Sequence, residues 1–212
     1  MDNMIYILAI CISAPLILMA ALADAKSRRL LSFMILGICI TVLASEINSL
    51  LASAFADTMD HFHVTIVITP ITEEILKAMP LLFTAIIFND NRELLFQRAM
   101  SIGLGFAILE NTFILIKNVE TVSLLWAMIR GFSSGLMHAL CTISIGIGIS
   151  LVKRRRKLFV CSTFAWLMAA SIYHSMYNML VQSDYWYVGV AIPAISYIPI
   201  AIAIKKRKLN AT

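Results

Sequence analysis

Charge is what this chain has least of. Of its 212 residues only 14% are charged and 60% are hydrophobic, and the mean hydropathy is +0.88. A soluble domain averages roughly 25% charged and about 45–50% apolar residues. No stretch is both polar and long, which leaves no room for a separate soluble domain. Cysteine is equally thin. Cys11, Cys39, Cys141 and Cys161 each stand alone in an apolar run, without the paired spacing of a metal or redox site, and read as small hydrophobes. The common zinc-protease signature is missing too: there is no His-Glu-x-x-His.

What is present is a series of apolar runs, at about 4–23, 30–54, 64–88, 99–117, 122–152, 158–182 and 188–204. Each suits a hydrocarbon core of about 30 Å at 1.5 Å rise per residue. The expectation is an all-α, polytopic membrane bundle of about seven transmembrane helices, a single membrane domain over 1–212. No basic residue precedes the first run and no small-residue cleavage site follows it, so it reads as a retained helix rather than a removed signal peptide. Basic residues then set the orientation. Lys26, Arg28, Arg29, Arg92, Arg98, residues 153–157 and residues 205–208 all fall in alternate loops or the C-terminal tail. This predicts an outside N-terminus and a cytoplasmic C-terminus, and it explains the net charge of +5 without invoking nucleic acid.

The third run breaks the pattern. Ile71-Thr72-Glu73-Glu74-Ile75-Leu76-Lys77 places two acids and a lysine inside an apolar span. A charge at bilayer depth costs roughly 2.5–3.5 kcal/mol on insertion scales. Something in the protein must answer it. Glu110 in the fourth run, His138 in the fifth and the His174/Asn178 pair in the sixth are the candidates. Given the orientation above, all four runs place these groups at the bilayer centre or in its outer half, while the inner halves are almost purely apolar. Spacing assigns partners: Glu73 and Lys77 are i,i+4 and are expected to pair, leaving Glu74 the freer base. His174 and Asn178 share one face by the same spacing.

Bland readings exist for each group taken alone: an intrahelical ion pair for Glu73–Lys77, interhelical glue for His138 or His174 and Asn178, a structural partner for Glu46 or Glu110 in Arg130, and a solvated loop for Asp60, His61 and His63. Their convergence on one depth favours chemistry. Carboxylates, imidazoles and an amide are parts for hydrolysis: a buried Glu as general base, a His to share the proton, and His174 with Asn178 to stabilise an oxyanion. Glu73 or Glu74, together with Glu110, His138 and His174, is equally a possible Zn2+ ligand set, and spacing does not separate the two mechanisms.

These residues resemble a known family. Glu73-Glu74-Ile-Leu-Lys77 looks like the EExxK motif of the PrsW proteases, and Phe106-Ala-Ile-Leu-Glu110-Asn111 like their FAxxEN motif. His138 and an HxxxN motif at His174–Asn178 follow in the family's order, so the resemblance covers about 64–182. The wider group includes the CAAX prenyl endopeptidases, whose motifs are EExxxR, FxxxH and HxxxN. Here Lys77 comes one position earlier than that arginine, and Glu110 stands where a histidine would, which favours the PrsW branch. The resemblance implies a bacterial cell-membrane protease that makes a site-one cut in a membrane-bound anti-sigma factor on its outer side.

The expectation is therefore an intramembrane endopeptidase. Glu73, Glu74, Glu110, His138, His174 and Asn178 would be catalytic, and Lys77 and Asn111 supporting. Its partners would be a membrane-spanning protein substrate and the lipid bilayer. A proton- or ion-coupled transporter is the competing class, along with a non-catalytic immunity or scaffold protein of the same fold. Against transport stand the apolar inner halves and the lack of a visible internal repeat.

Overall fold

The computed structural model describes residues 24–88, 92–151 and 156–209, together with positions 12, 16, 17 and 19; the side chains of Arg156 and residues 200–209 lie outside that description. Most of the first apolar run and residues 153–155 of the basic loop also fall outside it. The described chain is all-helical: α1 Ala25–Ala54, α2 Thr69–Ile87, α3 Arg92–Lys117, α4 Leu124–Ile149, α5 Arg156–Val181 and α6 Trp186–Leu209. A helical turn at His61–His63 and a π-helical turn at Val64–Ile68 lead straight into α2.

The helices begin further out than the apolar runs do. Asp24 starts α1 by accepting from the backbone N–H of Lys26 at 3.0 Å, so the basic residues 26–29 are helical rather than loop. Likewise α3 starts at Arg92. Arg98 is buried, its guanidinium 5.0 Å from the Phe33 ring, so this stretch is helix as well. Ser123 caps α4, its hydroxyl accepting from Trp126 N–H at 3.2 Å.

Helices α1, α3, α4 and α5 have segments long and apolar enough to cross a membrane. α2 is 19 residues long and contains Glu73, Glu74 and Lys77, and α6 is apolar over Trp186–Pro199 among the residues whose side chains are described. Large apolar side chains such as Leu50, Phe83, Phe132 and Phe164 face outward. In water they would form a sticky surface; in a bilayer they meet lipid.

Glycine sets how closely the helices meet. A side chain at Gly105 would strike the Met34 carbonyl of α1, and one at Gly37 would strike the Ile102 carbonyl of α3. A Cβ at Gly103 would sit 2.6 Å from the His138 carbonyl of α4. Gly103, Phe106 and Glu110 are three, four and seven apart on α3, so the face that presses on α4 is also the face that carries Glu110.

Ahead of the π turn, Asp60 accepts from the His63 backbone N–H at 2.8 Å and lies 2.7 Å from its ring Nδ1. The backbone bond first, and the ring second, hold the Asp60 carboxyl below its usual range. A lowered carboxyl stabilises the fold above its unfolded value of about 3.9, and that contribution disappears as pH falls through the folded value. Amide exchange at residues 61–69, corrected for intrinsic rates, is expected to speed up on acidification below about pH 4. Asp60→Asn should flatten that pH response, and an unchanged response would refute the assignment.

Candidate active site

Four helices converge on one buried cluster. From α2 come Glu73, Glu74 and Lys77; from α3, Glu110 and Phe106; from α4, His138; from α5, His174. Glu74, Lys77, His138 and His174 are each 0% exposed, and Glu73 5%. Only Glu110 opens outward, its side chain 20% exposed. Fully buried ionisable groups persist only when paired, and Glu74, Lys77, His138 and His174 each have a partner within the cluster.

The pairing differs from the helical-wheel expectation. Lys77 Nζ donates to Glu74 Oε1 at 2.6 Å, an i,i+3 contact, and not to Glu73. On the wheel both acids stand within reach of Lys77, roughly 40° to one side and 60° to the other. The tie is broken from outside the helix. His174 Nδ1 on α5 also bonds Glu74 Oε1, at 2.9 Å. Glu74 is thereby the anchored carboxylate, while Glu73 Oε2 is buried without a hydrogen-bond partner.

Tautomers follow from the partners. A carboxylate only accepts, so His174 Nδ1 carries its proton toward Glu74, and Nε2 presents a lone pair. That Nε2 is buried, has no hydrogen-bond partner and lies 3.8 Å from Glu73 Oε2. At His138, Lys77 Nζ stands 3.1 Å from Nδ1 and can only donate there. Nε2 therefore carries the proton and bonds Glu110 Oε2 at 2.8 Å. The two imidazoles meet edge to face at 4.9 Å between centroids. Phe106 packs against the cluster, with Lys77 Nζ 4.6 Å from its ring centroid and His138 5.0 Å away. Spacing alone did not reveal that cation–π contact, because it crosses between helices. The conspicuous aromatic beside Glu110 was the available hint.

Glu73, His138 and His174 each offer a ligand atom within 4.8 Å of the others. Both histidines belong to the ligand set expected from sequence, and of the two alternative acids Glu73 is the one beside them, while Glu74 and Glu110 are not in the group. Those two stand behind the imidazoles instead. One carboxylate with two imidazoles is a donor set that zinc accepts, and a carboxylate behind a ligating histidine is the usual way its ring is oriented. The unpartnered Glu73 Oε2 and His174 Nε2 fit such an ion. The His138 nitrogens are engaged, so ligation would take one from Lys77 or Glu110.

With this geometry in hand, the family described as PrsW family intramembrane metalloprotease matches residues 26–204. The chain belongs to that family. It is a multi-pass membrane protein, and membership supports intramembrane proteolysis on membrane-protein substrates. No curated protein and no solved structure matches it. Two further PrsW-motif residues sit beside the cluster rather than in it. Asn111 is buried with its Oδ1 unpartnered, and Asn178 donates Nδ2 to the Thr65 carbonyl at 3.2 Å. Cys141 is buried and directs its thiol to the Ala170 carbonyl at 3.5 Å, in keeping with a core role.

Proposed function

We propose that the whole chain is a single intramembrane endopeptidase domain that cuts a single-span membrane protein near the outer face of a bacterial cell membrane. An anti-sigma factor is the substrate class that the family resemblance favours. The topology behind this is about seven spans, with the N-terminus outside and the C-terminus cytoplasmic; α2 is then a span whose charges are answered within the bundle.

One observation carries the reading. Glu73 Oε2 and His174 Nε2 are buried, unpartnered and 3.8 Å apart, a separation that suits one small polar species between them. Water placed there has a carboxylate to take its proton and an imidazole lone pair to orient it. Glu74, held by Lys77, keeps His174 in that tautomer. His138 and Glu110 form the second proton-carrying pair, and the partly exposed Glu110 links it to the outside. Once Glu73 passes that proton to His174 Nε2, 3.8 Å away, the imidazolium stabilises the developing oxyanion. Glu73, His138 and His174 are the residues that would hold a divalent metal, which when bound would lower the pKa of water and polarise a carbonyl.

Purified protein in liposomes with a single-span substrate tests this. Glu73→Gln and His174→Ala are each expected to lower kcat/KM by on the order of a hundredfold or more. Wild-type rates in both variants would sink the site assignment. Ion flux without cleavage would replace the reading by transport. Chelation that abolishes cleavage, with rescue by one metal per chain, would establish the metal-bound form.

A further inference from the structure

Asn178 lies one turn beyond His174 on α5, yet its amide is directed to a backbone group of another element, the Thr65 carbonyl. The reason Thr65 needs a donor lies in the local sequence. Across Val64–Ile68 the backbone is π-helical, and the Thr69 N–H bonds back five residues to the Val64 carbonyl. In an α-helix that N–H would have served Thr65. In the π register Thr65 is served by residue 70. Residue 70 is proline, which has no N–H. Thr65 is thus passed over in both registers, which leaves its carbonyl open to a side-chain donor.

We propose that Asn178 is a positioning residue. Its side-chain amide supplies the hydrogen bond that Pro70 cannot, and pins the π-to-α junction of α2 against α5. The proposal rests on the proteolytic reading above. Two side-chain hydrogen bonds then tie α5 to the π turn and α2: Asn178 to Thr65, and His174 to Glu74. The second tether restrains, at the start of α2, the rotation that sets Glu73 Oε2 at 3.8 Å from His174 Nε2. The competing role, a direct contact of Asn178 with the substrate oxyanion, makes a different prediction.

The experiment pairs Asn178→Ala with Pro70→Ala. Residue 70 as alanine has an N–H in the π register that can serve Thr65. Asn178→Ala alone is expected to lower kcat by on the order of tenfold to a hundredfold with KM little changed, the effect of a small displacement of reacting groups. The double variant is expected to recover most of that loss. A double variant as slow as Asn178→Ala would overturn the proposal, because an oxyanion donor is not replaced by a backbone N–H on α2. Amide exchange over residues 64–72 provides a readout that needs no cleavage. Asn178→Ala should speed it and the double variant restore it, and unchanged exchange would overturn the proposal. If the wild-type protein cleaves nothing, the proteolytic reading falls and exchange alone decides the positioning role.

Discussion

Lys77→Met is expected to destabilise the folded protein by about 3–5 kcal/mol, the cost of removing one partner of a buried ion pair. Lys77 and Glu74 side chains are both fully buried, and Nζ donates to Oε1 at 2.6 Å. Methionine fills a similar volume and spares the packing, so the loss reports the carboxylate left behind. His174 Nδ1 would remain as a donor to it, but a single imidazole N–H does not replace an ammonium. Removing both charges should hurt less: Glu74→Gln with Lys77→Met leaves no uncompensated charge and is expected to regain much of the stability. That double variant should still cleave poorly, because His174 has lost the carboxylate that fixes its tautomer. Thermal unfolding in detergent, followed by tryptophan fluorescence, checks the order of the three proteins. A Lys77→Met protein within about 0.5 kcal/mol of wild type would mean that the pair carries no charge.

Gly105→Val is expected to leave little or no folded protein. The Cβ would meet the Met34 carbonyl oxygen, its carbon and its Cα, all backbone atoms of α1, so no side chain can turn aside. Overpacking a core costs about 1–3 kcal/mol where side chains adjust, and more where two backbones must part. Separating α1 from α3 also breaks the hydrogen bond from Thr41 Oγ1 to the Phe106 carbonyl, 3.2 Å long. Phe106 and Glu110 ride on the displaced helix, so any folded remainder should have weakened cleavage. Gly131→Ala is the contrasting substitution, since a Cβ there has nothing within 4 Å. Size-exclusion profiles of the two variants make the comparison. A monodisperse, fully active Gly105→Val protein would show that the α1–α3 approach is not needed.

How much of this was legible beforehand depends on which atoms do the recognising. That Glu73, Glu74, Glu110, His138 and His174 share one depth could be read from the chain, because span position fixes height in a bilayer. The structure does bring these five together. The choice between Glu73 and Glu74 as the anchored acid could not be read, since both lie beside Lys77 on the helix and His174, a hundred residues away, decides between them. Asn178 shows a subtler loss. Its partner is a backbone carbonyl, which has no letter in the sequence; only Pro70 betrays that a carbonyl nearby lacks its donor. Hydropathy does not show the helix starts at Ala25 and Arg92, because it ends a span where charge begins, whereas the Asp24 cap and the Arg92–Phe96 cation–π contact lie at those starts.

The sequence by itself determined the solvent, the helical class and the family. Sparse charge and long apolar runs leave only helices that satisfy their own backbone in lipid, and four short motifs in order specify one lineage. Only the tertiary structure decided the partnerships within the site. In a low-dielectric interior each buried charge must find the nearest complementary group, and which group is nearest depends on how four helices pack, not on spacing along any one of them.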